Sequence, residues 1–411
     1  MNLPLFIARR MRINNLDKGS VSGRIIKIAI LAVAIGITMI LIAVSTGKGL
    51  QNDIQNKTAA FNGHIVVSPF ENSESQISVL PIIDNPDIYK ILKNEPGVNH
   101  VQRVAIKGGL LKSKSEFEGI FFKGVGDDYK WKNLENFLVD GNFPKFNDTP
   151  SNKIIISQVI ADRLSVGVGD ELKAYFQNLR SQSIPNFRKF VIQGIFSSGF
   201  SDFDNNFIIG DIRHIQMLNK WKSNEIGAYE VFVSDIKQME SIGNSLYNKL
   251  PSDIDAIEIS RQFPAIFKWI SLFDFNILII IIIMIIVGVI NMSTALLVLV
   301  LERTQMIALL KTIGADNKLL RKIFLYNGIF ILGHGLFWGN LIGLLFYFSQ
   351  KYFGWVRLDP TTYFVNTAPV MIDFLDITYI NVGVLVVSTL LLLIPLLIIN
   401  NINPAKILRY H

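Results

Sequence analysis

The sequence predicts a membrane protein: four transmembrane α-helices, with a large α+β extracytoplasmic domain inserted between the first and the second. Three observations carry that prediction. Half of the 411 residues (50%) are hydrophobic, and the mean hydropathy is +0.37, high for a soluble protein. The apolar residues gather in four stretches, 25–46, 273–301, 324–348 and 379–399, each with the roughly 20 residues that cross a hydrocarbon core of about 30 Å. Between the first two lies a polar segment, 47–272, with ordinary globular patterning. Residues 277–287 are apolar on every face, which only lipid or a very large core tolerates.

Basic residues set the orientation. Arg9, Arg10, Arg12, Lys18, Arg24 and Lys27 precede the first span, and Arg303, Lys311, Lys318, Arg321 and Lys322 lie between the second and third. Lys406 and Arg409 follow the fourth, whereas the loop 349–378 has only Lys351 and Arg357. Segments 1–24, 302–323 and 400–411 are therefore expected in the cytoplasm, with 47–272 and 349–378 outside. The net charge of +7 reflects these inner-face residues and is no nucleic-acid signal. Ala43-Val44-Ser45 has the small-x-small spacing of a signal-peptidase site. The apolar stretch exceeds the usual 7–15 residues of a signal peptide, so the first span reads as a retained anchor. The absence of cysteine excludes disulfides and thiol chemistry.

The inserted segment alternates strands and helices. Residues 47–57 continue the first helix, and 64–68 form a strand closed by Pro69. Asn85 caps a helix with Pro86 in its first turn, and Pro96-Gly97 ends it. Strands are expected at 98–107, 120–124 and 154–156, then a helix capped by Ser157 that runs to Leu164. Strands 171–176 and 187–196 make a hairpin whose loop is longer than the usual 2–5 residues. By spacing alone that loop is either a surface turn or a functional one. Strand 229–233, helix 235–250 and strand 254–259 complete the pattern, and 264–275 leads into the second span past the interfacial Lys268, Trp269 and Phe273.

Catalytic signatures are missing. No phosphate-binding Gly-x4-Gly-Lys-Ser/Thr loop occurs, so the chain does not bind ATP in that way, and the five histidines share no metal-ligand spacing. In the membrane, Asn291, His334 and Asn340 are polar. Either they pack helices or they mark a proton or substrate path. Gly335, Gly339 and Gly343 form a small-xxx-small row that favours packing against another helix.

The stretch ERTQMIALLKTIGA, 302–315, joins the second span to the third. Met306, Ile307, Leu309, Leu310 and Ile313 recur at helical spacing, Gly314 suits a left-handed cap, and Asp316 is placed to cap the next helix. Such a segment lies on lipid, joins spans, or plugs a groove on a soluble partner. Periodicity leaves these open.

These residues resemble the coupling-helix motif of ABC permeases of the FtsX/MacB/LolC-LolE superfamily: an acid, then Ile-x-x-Leu-(Lys/Arg)-x-(Ile/Leu)-Gly-Ala. The tail NPAKILRY, 403–410, is similar to the family's Asp-Pro-Ala-x-x-Leu-Arg end. FIARR (6–10), FNGHIVV (61–67), GIFSSGFSDFD (194–204) and YFVNTAPVMID (363–373) resemble stretches of the lipoprotein-releasing LolC/LolE permeases. STGKGL (45–50) stands where that family has Met-Asn-Gly-Phe.

The resemblance implies a subunit of an ATP-driven complex in the bacterial inner membrane, extracting lipoproteins and passing them to a periplasmic carrier. This chain is then not an enzyme: ATP and Mg are bound by a separate LolD-like ATPase. The coupling positions implied are Glu302, Met306, Ile307, Leu310, Lys311, Gly314 and Ala315. The hairpin loop becomes a hook for a LolA-like carrier, with Phe176, Arg180, Pro185 and Phe187. A second permease chain, identical or paralogous, is expected. Ile35, Met39 and Phe275 are assigned to an acyl-chain cavity from their depth alone. Two other roles occur in the superfamily: MacB-like efflux, and an FtsX-like scaffold that regulates cell-wall hydrolases.

Overall fold

Local signals survive best. In the structure, a computed structural model describing residues 3–15, 21–72, 75–113, 116–146, 149–177, 185–359, 363, 365 and 367–401, Asn85 caps helix Pro86–Asn94 by accepting from the Asp87 amide. Ser157 caps Gln158–Leu164 by accepting from the Ile160 amide. Asp316 sits at the start of helix Asn317–Phe353, but its side chain makes no cap bond; the Leu319 and Leu320 amides reach its carbonyl instead. The chain divides into a membrane unit (Met1–Gln51, Ile270–Arg357 and Thr367–His411) and an inserted domain (Asn52–Trp269 with Leu358–Asn366).

The inserted domain has strands β1 (Ile65–Pro69), β2 (Ile82–Ile83), β3 (Val98–Lys112), β4 (Phe117–Val125), β5 (Leu138–Gly141), β6 (Lys153–Ser157), β7 (Glu171–Phe176), β8 (Asn186–Phe196), β9 (Phe207–Asp211), β10 (Glu225–Ile226), β11 (Ala228–Val233) and β12 (Ile254–Glu258). β2, β5, β9, β10 and helix Arg213–Asn219 had no distinct signal in the sequence. Among the described residues β10 pairs with β2, and the other ten strands form one sheet. Helix 235–250 is in fact a 3-10 turn, Ile236–Gln238, followed by α-helix Met239–Lys249.

β3 is long enough to have two neighbours along one edge. Its first half pairs with β11 and its last three residues with β7. Because β7 also pairs with β8, the circuit β3-β4-β9-β6-β8-β7 closes on itself. Gly109 makes that closure possible: a Cβ there would fall 2.8 Å from the Phe176 ring and 2.9 Å from the Tyr175 carbonyl oxygen. Phe122, Phe176, Phe190 and Ile154 fill the interior, all fully buried.

An ion pair is buried among these strands. Lys123 on β4 and Glu230 on β11 pair with 1% and 3% of their side chains exposed. The Lys123 ammonium also donates to the Phe61 carbonyl, in the last turn of helix Val21–Asn62. Gln102 donates to the other Glu230 oxygen at 2.8 Å. A helix end whose carbonyls lack intrahelical partners thereby gains a cation.

Among the described residues, four helices are long and apolar enough to cross a membrane: Gly23–Asn62, Pro264–Glu302, Asn317–Phe353 and Phe374–Leu397. In the last of these regular α-helix ends at Leu391 and gives way to a 3-10 turn from Pro395, whose nitrogen has no hydrogen to donate. Within the membrane unit, Gly335, Gly339 and Gly343 of the third span face the first. A Cβ on Gly339 would stand 2.7 Å from the Ile37 Cβ and 2.8 Å from the Ala34 oxygen. The Thr38 hydroxyl donates to the Gly339 carbonyl at 3.1 Å across that contact. Asn340 and Asn381 exchange reciprocal amide bonds of 2.6 and 2.9 Å between the third and fourth spans. Lys48, from the departing STGKGL stretch, pairs with Asp376 at the start of the fourth-span helix.

Candidate functional site

The link between the second and third spans is built to stop and turn. Helix Pro264–Glu302 breaks at Arg303, and a separate helix runs over Thr304–Thr312. Its end is a Schellman motif: the Ala315 amide donates to the Leu310 carbonyl at 2.9 Å and the Gly314 amide to Lys311 at 3.1 Å. Gly314 has φ +97°, which a side chain would strain. The Gly-Ala of the motif thus ends the helix.

The expected contact residues divide between the two faces of this helix. Ile307 is fully buried within the membrane unit, and Met306 and Leu310 pack against the same core. Lys311 donates to the Ile399 carbonyl at 3.1 Å, tying the link to the end of the fourth span. These four residues hold the helix in place; a partner would not meet Ile307. On the other side Gln305, Leu309 and the capping Ile313 are exposed, Leu309 by 54% and Ile313 by 76%, and Glu302, the last residue of the preceding helix, is exposed as well. The sequence did not mark Leu309 and Ile313 as the exposed side because the segment is apolar on both sides, so periodicity alone does not say which side faces inward.

The hairpin needs a similar correction. Phe176 is fully buried and packs edge-on against Phe122 at 5.9 Å between centroids, so it is a core residue. The signal was in ELKAYF: with period two, Leu172, Ala174 and Phe176 point inward, and Lys173 and Tyr175 outward. Pro185 is exposed, Phe187 is 55% exposed, and Arg180 lies outside the described residues. Phe187 stands opposite Tyr175, which stands opposite Leu110 of β3. The result is an apolar row across three strands at the base of the loop.

The other assigned residues show no enclosed site. Ile35, Met39 and Phe275 are 51%, 47% and 61% exposed on the membrane unit and line no enclosed cavity among the described residues. The depth assignment therefore describes an outer surface of the single chain. Asn291 is half-buried. His334 is exposed, with Nδ1 3.0 Å from the Phe330 carbonyl of its own helix. No group of His, Asp and Glu among the described residues could hold a metal ion.

GIFSSGFSDFD runs from the end of β8 into a tight turn and the short helix Ser201–Asp204. Asp204 accepts from the Ser198 hydroxyl and amide and from the Gly199 amide, at 2.7, 3.0 and 3.0 Å. Burial raises the Asp204 carboxyl above its ordinary range, and those donors oppose the shift. Phe203 of the same stretch stacks on Phe61 at 5.1 Å and packs on Phe263 at 5.8 Å. These two phenylalanines lie where the chain enters and leaves the inserted domain.

Comparison with known proteins supplies the rest. A model of the MacB-like periplasmic core domain matches residues 28–263, and one of the FtsX-like permease C-terminal region matches 278–404. The chain belongs to the FtsX/MacB family of permeases. Among curated relatives, the lipoprotein-releasing system transmembrane protein LolE of Haemophilus influenzae is 22% identical over 100% of both chains. Its LolC counterpart from Neisseria meningitidis is 21% identical over 93% of this chain and 94% of that one. The solved periplasmic region of MacB from Actinobacillus actinomycetemcomitans aligns with 49% of this permease and 91% of its own chain, at 13% identity and a TM-score of 0.35. The permease is thus a membrane subunit of the ABC type with a large inserted domain between its first two spans.

Proposed function

We propose that this permease is the membrane subunit of an ATP-driven complex that extracts lipoproteins from the inner membrane and passes them to a periplasmic carrier. The supporting observation is the end-to-end likeness to relatives named as lipoprotein-releasing permeases. In this reading the termini and the link helix are cytoplasmic, as the basic residues predict. A separate ATPase binds ATP and Mg, and docks on the face made by Leu309 and Ile313, while Met306, Ile307 and Leu310 transmit its motion to the spans. A second permease chain covers the apolar outer surfaces of the first two spans, including Ile35, Met39 and Phe275, and the acyl chains lie between the copies.

The energetics demand shelter throughout. At about 0.8 kcal/mol per buried CH2, two or three acyl chains resist entering water by on the order of tens of kcal/mol. Nucleotide hydrolysis does not supply that in one step, so the chains pass from one apolar cover to the next. The carrier must therefore be held close, which gives the long hairpin its task.

The test is depletion of the chain followed by separation of inner and outer membranes, with mature lipoproteins located by blotting. Retention in the inner membrane is expected. Normal sorting, with chaining cells or with export of one compound lost, would overturn this reading in favour of a wall-hydrolase scaffold or an efflux permease.

A further inference from the structure

We propose that the outer face of the third span, beside the N-terminal helix, is a binding site for one anionic phospholipid. The N-terminal helix, Leu3–Asn15, packs along the third-span helix, and its Ala8 is fully buried. Next to it an open groove of about 750 Å3 runs down the third span, with Leu5, Tyr326, Phe330, Gly333, Phe337 and Trp338 in its lining. That volume is in the range of pockets that hold a small molecule. The wall is mostly apolar. His334, also in the lining, is folded onto its own helix, its ring 3.8 Å from that of Phe330 between centroids.

Gly333 keeps the groove open. A Cβ there would meet no atom within 4 Å, whereas Cβ atoms on Gly335, Gly339 and Gly343 would run into the first span. The packing glycines and the open glycine therefore serve different neighbours. The first kind is already covered by protein, and the second is free for a ligand.

Length and charge say what that ligand is. From Tyr326 to Trp338 the helix rises about 18 Å, close to half of a hydrocarbon core of about 30 Å. Lys322 stands four residues before Tyr326 and so lies above the groove on the same side of the helix. Arg9 stands one turn past Leu5 in the same way. Both are exposed, and neither has an ion-pair partner among the described residues. Neither of the two helices contains an acidic residue. Two cations at the mouth, a tyrosine below them and apolar rings over the depth of one leaflet match a phosphate, a glycerol ester and an acyl chain in order. A helix of another protein would fill the groove but would leave those cations unanswered. The basic residues put this end in the cytoplasm, so the lipid belongs to the inner leaflet. The site stands whatever the permease transports.

The experiment is native mass spectrometry of the full-length permease in mild neutral detergent. It is titrated with phosphatidylglycerol or with phosphatidylethanolamine of the same acyl chains. The wild type should retain phosphatidylglycerol at a concentration about tenfold below that needed for phosphatidylethanolamine. R9Q/K322Q should bring the two lipids level. G333L fills the groove and should weaken retention of both at least about tenfold. Its melting temperature should be no lower than wild type, because the added side chain enters open space and leucine favours helix over glycine. Equal retention of the two lipids by the wild type would overturn the site, as would phosphatidylglycerol held undiminished by G333L. A stoichiometric co-purifying protein that G333L releases, with no preference between the lipids, would overturn it in favour of a partner helix.

Discussion

Leu309 and Ile313 separate docking from folding on a helix that is otherwise bound into the membrane unit. Leu309 is 54% and Ile313 76% exposed, whereas Ile307 is fully buried. Fully burying such a side chain contributes about 1.5–3 kcal/mol. Covering what remains exposed is then worth about 1 kcal/mol at Leu309 and about 1.5 kcal/mol at Ile313. Truncating both to alanine should cost about 2.5 kcal/mol of docking energy, a loss of affinity of roughly 50- to 100-fold. The assay is titration of the purified ATPase against the detergent-solubilised permease, beside a melting curve of the permease alone. L309A/I313A should lose ATPase binding with its melting unchanged. Ile307→Ala should instead lower stability by about 2–5 kcal/mol through the cavity it leaves. Replacing Leu310, the obvious choice from the motif, would mix the two effects because that side chain packs on the core. Undiminished ATPase binding by L309A/I313A would refute the assignment of faces.

Other consequences can be measured on the permease alone. Lys123→Met leaves Glu230 buried and unpaired, and should cost about 3–5 kcal/mol; the double change K123M/E230Q should recover most of it, because two neutral groups need no counter-charge. Asn340→Leu should weaken the contact of the third and fourth spans by about 0.6–2 kcal/mol in a denaturation series. Asn381→Leu added to it should cost little more, since the pair exchanges reciprocal bonds. Burial holds His64 at about 4, against 6.5 for a free imidazole, with Nδ1 accepting from the Val233 amide. The unfolded chain therefore takes up a proton that the folded one refuses, and stability falls as pH drops from about 6.5 toward 4 by about 1.4 kcal/mol per unit. His64→Gln should flatten that slope in melting curves recorded across the window.

What could be read from the sequence was local. Asn85-Pro86, Ser157 and Gly314 announce helix ends because a cap is satisfied within a few residues of itself. The spans were legible because lipid leaves no other place for a wholly apolar stretch. Lys123 was not legible: a lysine on a strand reads as exposed, and its burial depends on Glu230, 107 residues away, and on the end of a helix 62 residues away in the chain. The closing of β3 onto β7 depends on a strand serving two neighbours, which no local pattern encodes. Phe176 and Ile307 show the opposite case. The resemblance pointed to two segments, and the period of the strand and the packing of the helix decide which of their side chains are exposed.

The central claim is tested most directly by reconstitution. The permease and its ATPase, in liposomes carrying an acylated lipoprotein, are supplied with ATP and the soluble carrier, and the lipoprotein is followed into the soluble fraction. The account predicts transfer that needs both ATP and carrier, and that falls with L309A/I313A. ATP hydrolysis that proceeds normally while the lipoprotein stays in the bilayer would contradict it.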